Sequence, residues 1–141
     1  MRLNIHASCV AIGRKAVLLL GPSGAGKSDL ALRLIDGGAR LVADDRVDLI
    51  LKDGRWIASP PGTIAGLIEV RGLGIVTLPV LRRAPVMLAV RLTKQVPRLP
   101  EPDFFRPAGK KAVKIPQIAL NPFEASAPAK IRLALRHCQQ K

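Results

Sequence analysis

Apolar positions fall along the chain in short blocks whose spacing switches between two residues and three to four, which separates predicted strands from predicted helices. Residues 3–12 predict one strand that ends at a turn on Gly13-Arg14-Lys15, with His6 in its middle. The run Ala16-Val17-Leu18-Leu19-Leu20 predicts a second. From Asp29 to Asp36 apolar residues return at helical spacing, and Gly37-Gly38 supplies the helix stop. Arg40-Leu41-Val42-Ala43 is a short apolar run that ends in two adjacent carboxylates, Asp44-Asp45. Asp48 to Ser59 predicts a hairpin, because Asp53-Gly54 between two strand-like runs suits a two-residue type I′ turn. Ser59-Pro60-Pro61-Gly62-Thr63 closes it as a loop.

Further along, Leu67 to Val76 predicts a strand in which Glu69 and Arg71, two residues apart, share one face. Gly72 and Gly74 just beyond allow close backbone approach. Val86 to Leu92 predicts another strand. Pro97, Pro100, Pro102 and Pro107 then mark a loop from about 94 to 112 with a basic end at Lys110-Lys111. A short strand at Val113-Lys114-Ile115 follows, and the chain ends in a helix over 126–139, with Ser126 as N-cap, Pro128 in the first turn and Ile131, Ala134 and Leu135 on one face. The whole is a mixed α/β (α+β) chain forming one domain, 1–141, in which 93–125 is a variable loop and tail region.

Between the second strand and the first helix stands Gly21-Pro22-Ser23-Gly24-Ala25-Gly26-Lys27-Ser28, which fits the Walker A pattern G-x-x-x-x-G-K-[ST] at every fixed position. Three glycines let the backbone curl so that successive N–H groups surround an anion, and the first helical turn adds its own unpaired N–H groups. Lys27 brings a mobile charge to the terminal phosphates, and the Ser28 hydroxyl can ligate the magnesium that accompanies them. Nucleotide binding is thus assigned to residues Gly21 to Ser28, with ATP and Mg2+ as the implied cofactors.

Composition narrows the setting. No apolar run approaches the eighteen or so residues of a membrane helix, and the N-terminal apolar residues are interrupted by Asn4, His6, Ser8, Arg14 and Lys15, unlike a signal peptide. Cys9 and Cys138 lie near opposite ends without metal spacing, which argues against a disulfide framework or zinc site and for a cytoplasmic protein. The net charge of +13, from 23 Lys and Arg against 10 Asp and Glu, creates a positive field that attracts an anionic partner. The charges are dispersed and base-stacking aromatics are few, which argues against a dedicated nucleic-acid role.

The acidic residues offer the rest of the chemistry. In phosphate-loop proteins a carboxylate at the end of an apolar strand manages magnesium or the nucleophile. Adjacent strand residues face opposite ways, so Asp44 and Asp45 are expected to do different jobs. Glu69 can help hold magnesium while Arg71 stabilises phosphoryl charge, although the same pair could be a solvent-side ion pair. His6, taken alone, is better explained by structure than by catalysis.

Ile5-His6, the loop Gly21 to Ser28, Arg40 to Asp45 and above all Glu69-Val70-Arg71-Gly72-Leu73-Gly74-Ile75 stand in the order and spacing of the catalytic domain of HPr kinase/phosphorylase. The chain resembles that family over most of residues 3–93, in the short form that lacks the N-terminal domain. The resemblance implies a fold related to phosphoenolpyruvate carboxykinase and a bifunctional serine kinase and phosphorylase acting on HPr, the phosphocarrier of the sugar phosphotransferase system. It implies that Asp44 takes the proton from the substrate serine and returns it in the reverse reaction, and that Asp45 supports it. Ser28 and Glu69 would serve magnesium, and His6 would sit near the transferred phosphate. Long members form hexamers, so a homo-oligomer is left open. The chain departs from them at Asn121-Pro122-Phe123-Glu124-Ala125-Ser126, where they carry a Pro-Gly-Arg segment.

Two other readings remain open on sequence alone. One is an ATP-binding regulator without phosphotransfer that acts by contact with a sensor histidine kinase or phosphocarrier. The other is a nucleic-acid module using the positive charge.

Overall fold

Among the residues that the computed structural model describes, 1–62, 66–109 and 113–138, the apolar blocks become eleven strands and two helices. In chain order these are β1 (Arg2–His6), β2 (Ser8–Ile12), β3 (Lys15–Leu20), α1 (Lys27–Asp36), β4 (Arg40–Ala43), β5 (Arg46–Lys52) and β6 (Arg55–Ser59). There follow β7 (Leu67–Val70), β8 (Gly74–Thr77), β9 (Ala84–Leu92), β10 (Asp103–Phe105), β11 (Ile115–Leu120) and α2 (Ala127–Cys138). Thr63, Lys110-Lys111 and Gln139, which figure in the expectations above, lie outside the described residues.

β9 is the spine. One edge pairs in parallel with β3, and the other pairs antiparallel with β6 at its start and in parallel with β11 at its end. The sheet runs β1-β5-β6-β9-β3-β2-β4, with β11 and β10 attached beside β9, while β7 and β8 form a separate hairpin. Period-two alternation divides β3 between two cores. Val17 and Leu19 pack with Leu30, Leu34, Ile131 and Leu135 of the two helices, whereas Ala16 and Leu18 face Val47, Leu49 and Trp56 on the sheet's other side. Each such fully buried Val or Leu contributes about 1.5–3 kcal/mol. Trp56 fills the second core at 1% exposure and donates its indole N–H to the Val113 carbonyl at 2.8 Å.

Several boundaries differ from expectation. The single strand over 3–12 is two strands, because β1 pairs with β5 and β2 pairs with β3 and β4, and the chain changes neighbours at Ala7. His6 therefore ends β1 rather than standing mid-strand. Leu67 to Val76 is likewise a hairpin, with Arg71-Gly72-Leu73 as its turn and the Leu73 N–H donating to Val70 O at 2.9 Å. Glu69 is on β7 and Arg71 in the turn, so they do not share a strand face. The loop expected over 94–112 contains β10, and the short strand expected at 113–115 begins at Ile115 and runs to Leu120. The Asp53-Gly54 turn is as expected, with φ of 52° and 75° at its two central residues.

Cys9 is fully buried in the second core, and desolvation pushes its thiol far above the ordinary cysteine range. Iodoacetamide is expected to leave Cys9 unlabelled in the native protein and to label it once denaturant opens the core, as a peptide map would show. Labelling in native buffer at the rate of a free thiol would contradict this burial.

Candidate active site

The phosphate loop leaves the C-terminal end of β3 and enters α1 at Gly26, whose φ of 99° is left-handed and open to glycine at little cost. A Cβ there would also stand 3.3 Å from Pro122 Cγ, so the neighbouring loop adds a second reason for glycine. No side chain caps α1, which leaves its first N–H groups free for an anion. Lys27 is nearly buried and donates from Nζ to Gly21 O at 2.7 Å and Pro22 O at 3.0 Å, folded across the loop it would serve.

Two strand-to-strand corners bring the remaining groups to this loop. One is His6-Ala7-Ser8 between β1 and β2, and the other is Asp44-Asp45 between β4 and β5. They are tied by the Ala7 N–H donating to Asp45 O at 3.0 Å. Asp45 sits at φ 68°, a left-handed conformation that Asp tolerates better than most residues. This bend separates the two carboxylates, and they do go to different partners. Asp44 Oδ1 accepts from Ser8 Oγ and from Ser28 Oγ, each at 2.9 Å, while Asp45 Oδ1 bonds His6 Nε2 at 3.0 Å.

A cavity of about 640 Å³ lies over the loop, lined by Ser23, Gly24, Lys27, Ser28, Asp45, Glu69 and Arg71 among others. Asp45, Glu69 and Arg71 stand on its wall. Asp44 reaches the loop through Ser28 and borders a smaller cavity of about 250 Å³ beside Pro60, Pro61 and Leu67. The predicted site residues thus come from four places in the chain: His6, the phosphate loop, Asp44-Asp45 and the Glu69–Arg71 stretch. Sequence reasoning missed Ser8, a fully buried hydroxyl that completes the Asp44 network. Its signal was only a polar residue two places after His6 in an apolar stretch.

The donor set fits a metal shared with phosphates. Among the described residues no cluster of three or more His, Cys, Asp or Glu could hold an ion alone. One hydroxyl and one or two carboxylates, completed by phosphate oxygens and water, is how magnesium is commonly bound.

Fold and site together define a phosphate-loop domain on a curled, mostly antiparallel sheet, with paired carboxylates brought to the loop. The family model for the HPr serine kinase C-terminal domain matches residues 1–91. The HPr kinase/phosphorylase of Clostridium tetani is 47% identical over 78 residues, 55% of this chain and 26% of that one. The HPr kinase/phosphorylase of Lactobacillus acidophilus is 38% identical over 105 residues, 69% of this chain and 33% of that one. The chain thus spans about a quarter to a third of the length of these curated relatives. The structure of the HPr(Ser) kinase/phosphatase from Coxiella burnetii superimposes with a TM-score of 0.82 at 28% identity, covering 98% of this chain and 91% of that one. The chain belongs to the HPr serine kinase C-terminal domain family, as Glu69 to Ile75 led us to expect. Among the described residues no helix is long and apolar enough to cross a membrane.

Proposed function

We propose that the chain is an ATP- and magnesium-dependent serine kinase domain whose acceptor is an HPr-type phosphocarrier protein. The observation that carries this reading is the Asp44 carboxylate held at 2.9 Å from the Ser28 hydroxyl, which puts a base beside the residue that would ligate the magnesium of the terminal phosphates. In the reaction, Asp44 accepts the proton of the substrate serine, the serine oxygen attacks the γ-phosphorus, the bond to the bridging oxygen breaks, and ADP leaves. The reverse path returns the proton from Asp44 to the serine oxygen. His6, held by Asp45, would sit near the transferred phosphate. Lys27 and Arg71 supply positive charge. Ser28 and Glu69 would hold magnesium, which spreads the charge of the phosphate oxygens.

A protein acceptor, rather than a small molecule, is supported by the rim of the cavity. Leu73 and Ile75 of the β7–β8 hairpin are 76% and 73% exposed next to Arg71, an apolar contact surface beside the chemistry. The net charge of +13 steers an acidic partner toward it. Such a phosphocarrier works in the cytoplasm, and the reading puts the chain there.

The test is incubation with γ-labelled ATP, magnesium and the phosphocarrier proteins of the host. Label on an acceptor serine is expected. Nucleotide binding without phosphoserine on any of them would replace this reading by that of a regulator acting through contact with a phosphocarrier or sensor histidine kinase.

A further inference from the structure

The chemical groups all approach the phosphate loop from the side of the two corners and the β7–β8 hairpin. A nucleoside triphosphate whose terminal phosphate points at them must carry its base away on another flank. In open sheets with parallel neighbours, ligands collect at the carboxyl ends of the parallel strands. Here β3, β9 and β11 are parallel, and their ends carry the phosphate loop, Thr93-Lys94 and Asn121-Pro122-Phe123. The last of these segments reaches the loop directly, since a Cβ placed on Gly26 would lie 3.6 Å from the Phe123 ring.

Phe123 is 62% exposed, in a chain with three Phe, no Tyr and a single buried Trp. Nothing in the core needs it there. It is nevertheless held in place. Pro122 is buried, the Phe123 N–H donates to Asn121 Oδ1 at 3.0 Å, and the Arg33 guanidinium from α1 donates to Pro122 O and to Glu124 O. Lys94 Nζ stands 5.6 Å from the ring centroid, which places a cation against the same aromatic group. Neither Phe123 nor Lys94 lines the cavity that holds Asp45, Glu69 and Arg71. Both lie beyond residue 91, where the match to the family model stops.

We propose that Phe123 is the stacking platform for the base of the bound nucleotide, with Lys94 beside it, on the flank of the phosphate loop away from the acceptor. This rests on the reading of the loop as a nucleotide site and adds to it the half that recognises the nucleoside. Ring stacking selects flat bases and is indifferent to the phosphates, so the two halves can be measured separately.

The experiment compares magnesium ATP with inorganic tripolyphosphate by calorimetry on the wild type, Phe123→Ala and Phe123→Trp. Phe123→Ala is expected to weaken ATP binding roughly ten-fold or more and to change tripolyphosphate binding less than about two-fold. Phe123→Trp should restore ATP affinity and show indole fluorescence quenched by ATP but not by tripolyphosphate. ATP affinity unchanged in Phe123→Ala would overturn the proposal while leaving the phosphate site intact. Equal weakening of both ligands would overturn it too, since Phe123 would then act on Gly26 and the loop. A wild type that binds neither ligand would overturn the nucleotide site itself.

Discussion

Lys27→Ala is expected to lower phosphoryl transfer to an acceptor serine about a thousand-fold and to abolish measurable binding of magnesium ATP at sub-millimolar concentrations. The amine is the one side-chain cation built into the phosphate loop, and its two partners, Gly21 O and Pro22 O, are backbone oxygens that leave its charge uncompensated by any carboxylate. When phosphates arrive, that charge is free to meet them, at the point where negative charge develops in the transition state. Losing one such preorganised donor typically costs a hundred- to a thousand-fold in rate, and the loss of ground-state binding adds to it. Lys27→Arg should fail nearly as badly, because a planar guanidinium does not fit a pocket shaped by two carbonyls around a compact ammonium. The fold should survive. Lys27 makes two hydrogen bonds of about 1 kcal/mol each, so the melting temperature should fall by only about 5 °C. Radiolabel transfer, calorimetry and thermal melting check the three parts. Transfer retained above about a tenth of the wild-type rate would mean that the phosphates are held elsewhere.

Much of this machinery was legible because local sequence dictates it. The loop from Gly21 to Ser28, the stop at Gly37-Gly38 and the Asp53-Gly54 turn all rest on residues whose own backbone preferences decide the outcome. The corner at Ala7 was not legible. Polar and apolar residues alternate through it without Gly or Pro, and only the non-local choice of partner, β5 for β1 and β3 for β2, breaks the strand. For the same reason Ser8 escaped notice, since its meaning depends on Asp44, thirty-six residues away. In the stretch after Glu69, Gly72 and Gly74 suggested close backbone approach, whereas both have positive φ, 91° and 93°, and bracket the tip of a hairpin. β10 and the full length of β11 depend on tertiary pairing across a proline-rich stretch. Pro116 precedes the ladder with β9, which begins at Gln117, so it costs no bond to β9. Asp44 and Asp45 bond different partners, and a left-handed bend at Asp45, not the strand alternation the sequence suggested, divides them.

That division sets up the second large effect. Asp44→Asn is expected to cut phosphoryl transfer about a thousand-fold with nucleotide affinity and melting temperature close to the wild type. An asparagine Oδ1 can accept from Ser8 Oγ and Ser28 Oγ as the carboxylate does, so the architecture at the loop is kept. What disappears is the negative charge and the ability to take a proton, which general-base catalysis values at a hundred- to ten-thousand-fold. Asp45→Asn is the natural comparison. Asn tolerates the left-handed φ of 68° at that position and can still bond His6, so the cost should be about ten-fold, felt through the placement of the imidazole. Single-turnover transfer rates for the two variants, measured with nucleotide saturating, separate the roles. If Asp45→Asn proved the more damaging of the two, the proton would go to the exposed carboxylate on the cavity wall, and the bond from Ser28 would assign Asp44 to holding the loop and its metal.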